Sequence, residues 1–322
     1  MTGIPSAAND PAIPPPGSLF SPMEGPRGRR LALVFGNEAP GGKCPFHTAQ
    51  CAHCDLGAGE GTRFSTEINT RRLSFFAEHY RQVFPDIQHL VIYNSGSTLN
   101  PVELSPETLK ELLTFARGLE GCQRISFDTR EDFVTAARLQ MLAEGLRPDQ
   151  AFGLTLGVET QDDRVRMQLL GKSMSRDEIS GVFHLLSEYQ PRGRVEMNVV
   201  FQPPGLTGEA AVEDAQATIR FGLNLMDSSG VPVDFNFHPY YPSWKGTREF
   251  PNHPRANLQD TVRALILVHR LVKTHGGDSR IFVGWNDEGH DLQPAAKSKE
   301  LNLYQPGILA FNRTQDETRL RI

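Results

Sequence analysis

Residues 44–54 read CPFHTAQCAHC and hold three of the four cysteines in this 322-residue chain. Six residues separate Cys44 from Cys51, and two separate Cys51 from Cys54. Thiolates are soft ligands, and three of them on one short segment indicate a metal site. They are too few for an all-cysteine tetrahedral zinc site, but they suit a [4Fe–4S] cluster whose fourth iron stays open for another ligand.

Zinc is the alternative interpretation of the same segment. Cys44, His47, Cys51 and Cys54 form a C-x2-H-x3-C-x2-C set, and His53 is a spare ligand. Zinc accepts such a set of three cysteines and one histidine. A disulfide is the less favoured use of these thiols, because the chain has no secretory signal and its cysteine content fits a reducing compartment. We therefore expect a cytoplasmic protein.

The composition is that of an ordinary globular protein. Hydrophobic residues make up 39% and charged residues 22% of the chain, and no apolar run approaches the length of a membrane span. The formal net charge is -5 at pH 7, whereas dedicated nucleic-acid binders normally carry a basic surplus. The composition therefore favours neither a membrane protein nor a dedicated nucleic-acid binder.

Apolar strands and amphipathic helices alternate along most of the chain. The predicted strands are LALVFG (31–36), HLVIY (89–93), RISFD (124–128), GLTLGVE (153–159), VEMNVVF (195–201), VDFNFH (233–238) and RIFVGW (280–285). Helical patterns lie between most of them, which predicts six or seven parallel βαβ units in one run. We expect an α/β fold with a partial or complete parallel (β/α) barrel.

Three regions follow from this pattern. Residues 1–28 contain seven prolines and few large apolar groups, and we expect them to be a flexible segment. Residues 29–255 are the expected core barrel. Residues 256–322 are the expected extension, which closes the barrel and contributes to the substrate site.

Polar residues follow or interrupt several predicted strands, where the chemistry of a barrel of this kind is located. A small polar turn with Gly96 and Ser97 follows the second strand, and Asp128 and Arg130 follow the third. Glu159 ends the fourth strand and Asn198 lies within the fifth. Taken singly, each has a structural interpretation as a turn, a surface ion pair, a cap or a satisfied core group. Together they predict a ligand site.

The order of five motifs resembles the radical SAM superfamily, within the branch that includes the Elongator catalytic subunit and the archaeosine-synthase radical SAM subunit. The motifs are CPFHTAQCAHC (44–54), IYNSGSTLNP (92–101), FDTREDF (127–133), GVETQDDRVRMQLLGKSMS (157–175) and FQPPGLT (201–207). The resemblance covers roughly residues 30–250. The gap of six residues between the first two cysteines departs from the usual three, and no acetyltransferase domain follows the barrel.

The resemblance implies an enzyme whose [4Fe–4S] cluster reductively cleaves S-adenosylmethionine (SAM) to a 5′-deoxyadenosyl radical, which abstracts hydrogen from a substrate. It implies that Cys44, Cys51 and Cys54 ligate three irons. The polar residues that it places around SAM are His53, Gly96, Ser97, Asp128, Arg130, Glu159 and Asn198. Lys172 resembles a basic position of the branch without an assigned role. An electron donor such as ferredoxin or flavodoxin is expected as a partner.

The substrate site is expected in the last third of the chain. The aromatic residues predicted to stack on the substrate are Tyr240, Tyr241, Trp244 and Trp285, and the residues predicted to hydrogen-bond it or to move a proton are Glu288 and His290. The alternative is that the aromatic rings only close the open side of the barrel. We favour a small-molecule or nucleoside-type substrate over tRNA. The alternative function is a zinc- or cluster-stabilised RNA-binding protein without radical chemistry.

Overall fold

The computed structural model of the chain describes residues 10–15, 19–42, 44, 51–54, 64–284 and 299–320. Its strands form one sheet in the order β1 to β8, so that neighbours in sequence are neighbours in space. The strands are β1 (Met23–Gly25), β2 (Gly28–Val34), β3 (His89–Tyr93), β4 (Arg124–Thr129), β5 (Ala151–Glu159), β6 (Gly193–Phe201), β7 (Val233–Pro239) and β8 (Ile281–Val283). The pair β1–β2 is antiparallel, and every later pair is parallel.

Helices connect the parallel strands. They are α1 (Thr66–His79), α2 (Pro106–Arg117), α3 (Ala136–Gly145), α4 (Arg176–Ser187), α5 (Gly208–Ser229), α6 (Trp244–Glu249), α7 (Leu258–His275) and α8 (Lys299–Thr314). Several begin at a residue whose side chain accepts a hydrogen bond from the first turn, as Ser105 does for α2 and Asn257 for α7. In the described part of the chain, no helix combines the length and the apolar character needed to cross a membrane.

The sequence prediction of an α/β fold with a parallel barrel is confirmed. The five central strands, β3 to β7, differ from their predicted bounds by at most two residues. Two helical connections are less regular. A 3-10 turn at Glu131–Phe133 precedes α3, and a π-helix at Arg164–Leu169 precedes α4.

The described part of the Pro-rich segment is packed on the barrel, which differs from the flexible lead-in expected from its composition. Strand β1 pairs with β2 through a turn in which Gly25 faces Gly28. Arg27 forms ion pairs of 2.7 Å with Asp234 and 2.6 Å with Asp278. The partners of Arg27 lie more than 200 residues away in the chain and leave no local signal in the sequence.

The barrel is open between its first and last strands. Among the described residues, no ladder of hydrogen bonds joins β8 to β1 or β2. The guanidinium group of Arg30 lies 4.7 Å from the ring centroid of Phe282 across this gap, and α8 contacts both β1 and β8. The gap is therefore covered by side chains and a helix, as the partial-barrel prediction requires.

The two faces of the sheet have different chemistry. Leu31 and Leu33 of β2 join the large apolar core that includes side chains of the surrounding helices, whereas Ala32 belongs to a small separate cluster with Val91 and Tyr93. Because side chains alternate along a strand, the second set points into the barrel. The interior is largely polar elsewhere, so it needs internal partners or ligands.

Charged and polar side chains fill the amino-terminal end of the interior, which we call the barrel floor: Arg30, His89, Arg124, Glu196 and Asp234. Glu196 lies 3.0 Å from Arg30, 3.0 Å from His89 and 3.2 Å from Arg124. Asp234 lies 2.5 Å from Arg124. All five side chains are buried. Buried charges persist only when they are paired in this way.

Protonation states in the floor follow from burial and pairing. Burial raises the pKa of Glu196, but His89, Arg124 and Arg30 lower it more, and the net pKa lies well below its ordinary value. Burial lowers the pKa of His89 to about 4. Near neutral pH the floor therefore holds ionised Glu196 beside neutral His89. Since this end is filled, ligands have access only from the carboxyl ends of the strands.

One further buried carboxylate supports the turn that follows β5. Asp214 of α5 accepts a 2.6 Å hydrogen bond from the hydroxyl of Thr160, and its other oxygen has no protein partner among the described residues. Burial raises the pKa of Asp214 to about 6. A pKa raised by folding means that this carboxyl group stabilises the fold only when it is protonated.

Asp214→Asn should therefore change the pH dependence of stability. Protonated Asp214 stabilises the fold fully at pH values below its unfolded pKa of about 3.9. This stabilisation is lost as the pH rises through about 6, its pKa in the folded protein. Relative to the wild type, the Asn variant should gain stability between pH 4 and 7, by at most about 3 kcal/mol. Urea unfolding across this range measures the difference.

The matched control is Glu213→Gln, which removes the same charge from the neighbouring exposed position of α5. Its difference from the wild type should stay nearly constant over the same pH range, since an exposed group meets similar solvent in both states. Parallel pH curves for Asp214→Asn and the wild type would contradict the assignment of Asp214 as a buried, strained carboxylate.

Candidate functional site

A large cavity opens at the carboxyl ends of the strands, with about 1220 Å³ of empty space that includes open solvent. Its lining consists of Cys44, Cys51, His53, Cys54, Tyr93, Ser95, Gly96, Ser97, Glu103, Asp128, Thr129, Arg130, Gly157, Glu159, Lys172, Met174, Asn198, Val200, His238, Pro239, Tyr240, Tyr241 and Gly284. Strands β3 to β7 and the loops after them contribute most of these residues. The cavity lies where a barrel of parallel strands presents its loops, above the filled floor.

A tight turn after β3 forms one wall. A Cβ atom on Gly96 would lie 1.7 Å from Oε2 of Glu103, so only glycine fits there. The same carboxylate accepts hydrogen bonds from the Ser97 amide at 3.0 Å, from Asn37 at 2.9 Å and from Asn100 at 2.6 Å. Burial raises the pKa of Glu103, while these donors lower it. Glu103 thus anchors the turn from inside the cavity wall.

The turns after β3 and β4 are joined to each other. The Thr98 amide and hydroxyl both donate to the carbonyl of Asp128, at 2.9 and 2.6 Å. The hydroxyl of Ser97 lies 2.7 Å from that of Thr129 and accepts a 3.1 Å hydrogen bond from the Arg130 amide. These bonds fix the backbone that carries Asp128 and Arg130 into the cavity lining.

The side chain of Arg130 already has acidic neighbours. Its Nη2 atom lies 3.0 Å from Glu131 and 3.2 Å from Asp132. Glu131 is buried and burial raises its pKa, although Arg130 lowers it. A ligand carboxylate at Arg130 would share the guanidinium group with these two side chains.

A buried ion pair follows β5. Glu159 has a φ of 67°, in the left-handed region that non-glycine residues rarely adopt, and β5 shifts register against β6 between Leu156 and Glu159. This bulge aims the carboxylate at Lys172, whose Nζ donates to Glu159 Oε1 at 2.7 Å. Nε2 of His53 lies 3.3 Å from the same oxygen. The ion pair therefore connects β5 to the cysteine segment.

The charge state of this pair is set by mutual contact. Burial raises the pKa of Glu159, but Lys172 and His53 lower it more, so the net pKa lies far below its ordinary value. Burial lowers the pKa of Lys172, but Glu159 and Cys51 raise it more. Both groups are therefore charged near neutral pH. A Cβ atom on Gly157 would lie 2.1 Å from Nζ of Lys172, so the pair also depends on that glycine.

Polar side chains of β6 and β7 form the opposite wall. Asn236 donates to Oδ1 of Asn198 at 3.0 Å, and Asn198 and His238 both line the cavity. Tyr241 lies beside them, and burial raises the pKa of its hydroxyl. These groups hydrogen-bond in several directions, which suits recognition of a polar ligand.

Cys44, Cys51 and Cys54 form a candidate ligand set for a metal group. All three described thiols of the segment line this one cavity, and the Cys51 side chain is buried. Burial raises the pKa of Cys51, and the nearby charges of Lys172 and Arg130 offset only part of that effect, so the net pKa of the thiol lies above its ordinary value. In the described ranges, no three His, Cys, Asp or Glu side chains converge on one point as ligands of a single ion. A cubane cluster takes each thiolate at a different iron, so its donor set fits.

The cavity brings together most of the residues predicted from the sequence. Those present in its lining are Cys44, Cys51, His53, Cys54, Gly96, Ser97, Asp128, Arg130, Glu159, Asn198, Tyr240 and Tyr241. Trp244 is outside the lining, with 71% of its surface exposed. Trp285, Glu288 and His290 lie outside the described residues, as does His47.

Other lining residues had escaped the sequence interpretation. In the sequence, Glu103 is simply a residue that precedes helix α2. Its role in holding the turn after β3 is visible only from its contacts with Asn37 and Ser97. The sequence did contain a signal that His238 faces the interior. Polar residues recur at every second position of this strand, in Asp234, Asn236 and His238, which places all three on the interior face.

Comparison with known proteins relates this geometry to a group of enzymes. No protein-family model matches the chain. Archaeosine synthase subunit beta of Thermococcus kodakarensis is 24% identical in an alignment of 193 residues, and the match covers 54% of this chain and 58% of that protein. Streptococcus suis SuiB bound to S-adenosylmethionine aligns with a TM-score of 0.53 and 13% identity, over 84% of this chain and 54% of SuiB. The radical S-adenosylmethionine methyltransferase TsrM of Kitasatospora setae aligns with a TM-score of 0.39 and 15% identity, over 65% of this chain and 36% of the TsrM chain.

The predicted resemblance to the radical SAM superfamily is confirmed. The sequence relative lies in the archaeosine-synthase branch that the motifs indicated, and the likeness to SuiB confirms the fold. The chain spans a little over half the length of each of these two proteins.

The Glu159–Lys172 pair generates a test of the site's electrostatics. Lys172→Met should lower the free energy of unfolding by about 3–5 kcal/mol, because it leaves a buried carboxylate without its main partner. The double variant Lys172→Met/Glu159→Gln should recover most of that loss, since both charges are then gone. Chemical denaturation measures the free energy of unfolding of the wild type, of Lys172→Met and of the double variant, each as the apoprotein.

The control is Arg263→Met, which removes a cation that lies 3.5 Å from Asp260 on α7, where the two side chains are 53% and 47% exposed. It should cost no more than about 1 kcal/mol. A double variant as unstable as Lys172→Met alone would show that the lysine acts through packing and not through charge.

Proposed function

We propose that the chain is a radical SAM enzyme in which Cys44, Cys51 and Cys54 hold a [4Fe–4S] cluster at the carboxyl end of the barrel. One observation carries the proposal: the three thiols line the same cavity as the polar ends of β4, β5 and β6. When bound, the reduced cluster would cleave SAM to methionine and a 5′-deoxyadenosyl radical that abstracts hydrogen from the substrate. The protein supplies position, charge and exclusion of water.

The residues around the cysteines suit that task. The positive charges of Lys172 and Arg130 offset part of the effect of burial, which keeps the pKa of Cys51 above its ordinary value. Glu159 holds Lys172 in place and balances its charge within the cavity wall. The filled floor below closes the amino-terminal end of the barrel to solvent, which protects a reactive carbon from quenching by water.

For SAM we propose the side of the cavity formed by the joined turns after β3 and β4. Gly96 allows backbone to approach a ligand closely, and Ser97 and Asp128 add polar groups to the same wall. Arg130 provides a cation for a carboxylate. His53 and Glu159 lie in contact with each other at the cysteine segment, where we propose that they face the nucleoside part of SAM.

For the substrate we propose a small-molecule or nucleoside-type compound against the wall of Asn198, His238 and Tyr241. Amide, imidazole and phenol groups orient a polar ligand, and the tyrosine ring adds apolar area. The relatives act on unlike partners: SuiB has been solved with its precursor peptide SuiA, and the sequence relative is an archaeosine synthase subunit. We favour the smaller substrate over tRNA because the net charge of this chain is -5.

The remaining parts of the proposal concern regions and partners. We propose residues 29–255 as the core barrel and residues 256–322 as an extension that completes the substrate site, with α7 packed against α5 and β7. Trp285, Glu288 and His290 belong to that extension and keep their proposed roles in stacking and proton transfer. Ferredoxin or flavodoxin is the proposed class of electron donor.

Replacement of single cysteines tests the cluster directly. Cys44→Ala, Cys51→Ala and Cys54→Ala should each abolish iron loading and the formation of 5′-deoxyadenosine from SAM, because each removes one of three protein ligands. Iron and zinc analysis of anaerobically purified protein and product analysis after reduction are the measurements.

Cys122→Ala is the control, since Cys122 is fully buried and its thiol donates to the carbonyl of Arg124 at 3.2 Å, away from the cavity. This variant should load iron and form product as the wild type does. Stoichiometric zinc without iron in the wild type would instead identify the zinc-stabilised alternative.

The proposed SAM contacts predict a loss of affinity without a loss of iron. Arg130→Ala should weaken SAM binding to the iron-loaded protein by about 10- to 100-fold, the equivalent of one charge-assisted hydrogen bond. Isothermal titration with SAM measures the affinity, and iron content shows that the site is intact. Arg117→Ala on the exposed side of α2 is the control. Equal affinities in the two variants would remove Arg130 from the SAM site.

A further inference from the structure

One backbone carbonyl in the cysteine segment accepts three hydrogen bonds. The oxygen of Ala52, between Cys51 and Cys54, accepts from the Ser243 amide at 3.2 Å, from the Ser243 hydroxyl at 2.8 Å and from the Tyr240 hydroxyl at 3.2 Å. Ala52, Tyr240 and Ser243 are at most 2% exposed. All the donors come from the segment that follows β7, nearly 190 residues later in the chain.

The packing at this carbonyl leaves no room for a side chain on Gly246. A Cβ atom there would lie 2.1 Å from the oxygen of Ala52 and 2.6 Å from the Tyr240 hydroxyl. The backbone of Gly246 is helical, so the glycine is needed for space and not for its conformation. Its amide also donates to the Ser243 hydroxyl at 3.0 Å, which orients that hydroxyl toward Ala52.

The same residue is held from the other side. The Ala52 amide donates to the carbonyl of Leu170 at 3.0 Å, at the end of the π-helix that follows β5. Leu170 packs with Val200 and the ring of Tyr240 in a small buried cluster. Ala52 is therefore fixed both by the chain after β5 and by the chain after β7.

We propose that Tyr240, Ser243 and Gly246 form a clamp that positions Cys51 and Cys54 by holding the carbonyl between them. The three are positioning residues. The proposal deepens the proposed function, because a cluster ligated by these cysteines would be held by the same segment that contributes Tyr241 to the substrate wall. Substrate contacts on that wall and the cysteine segment would then move as one body.

The hydrogen bonds that hold the Ala52 carbonyl are present in the apoprotein. The clamp can therefore be tested without SAM chemistry. Cys51 is 9% exposed and Cys122 is fully buried in the apolar core. The rate at which N-ethylmaleimide alkylates each thiol, followed by mass spectrometry at one fixed pH, reports how firmly each thiol is held. Cys122 serves as the internal measure of global unfolding.

Gly246→Ala and Tyr240→Phe are the test variants. Gly246→Ala forces the clamp away from Ala52, and Tyr240→Phe removes the hydrogen bond from the Tyr240 hydroxyl to Ala52 while keeping the ring. In both, the Cys51 rate should rise at least about fivefold, an amount consistent with one lost hydrogen bond, while the Cys122 rate and the melting temperature stay close to the wild type. The control is Gly181→Ala in helix α4, where a Cβ meets nothing within 4 Å. Its Cys51 rate should match the wild type.

The outcomes separate this proposal from the proposed function. Unchanged Cys51 rates in both folded variants would overturn the clamp, even if the wild type carries an iron–sulfur cluster. Faster Cys51 alkylation would support the clamp even if the wild type carries no iron. Should Gly246→Ala unfold and expose Cys122 as well, the milder Tyr240→Phe decides. In iron-loaded protein, a changed electron paramagnetic resonance spectrum in Tyr240→Phe is the second expected signature of displaced ligands.

Discussion

Burial of charge inside the barrel is the constraint on which the rest of this structure depends. At the floor Arg30, Glu196, Arg124 and Asp234 form ion pairs with one another, which makes the amino-terminal end a filled base. At the carboxyl end the Glu159–Lys172 pair meets the cysteine segment through His53. The barrel thus divides into a floor whose charges are internally paired and a cavity whose polar groups face open space.

The cavity is a product of long-range contacts between loops. The turn after β3 needs Glu103 to hold Gly96 and Ser97, and the turn after β4 is attached to it through Thr98. The cysteine segment in turn is held through Ala52 by the chain after β7. Two of these loops are therefore held by a partner on a different βα unit, and loop contacts of this kind are how a barrel builds a specific site.

Local sequence could predict the strands and the edge at which the site lies. Runs such as HLVIY and VDFNFH are short, apolar and bounded by turn residues, so hydrophobic pattern alone locates them. Strand-end residues such as Asp128 and Glu159 followed from the barrel prediction. The contacts of Glu103 and Ala52 could not be foreseen, because their partners are fixed by tertiary structure. Strand β1 escaped for the same reason: its anchor Arg27 pairs with Asp234, which is distant in the chain.

The central claim is that the cysteines hold a cluster with one iron open to SAM. Mössbauer spectra of the iron-loaded protein, recorded with and without SAM, test it most directly. The account predicts about four irons per chain, of which one changes its spectrum when SAM is added. A protein that takes up no iron, or whose irons all keep the same spectrum in saturating SAM, would contradict it.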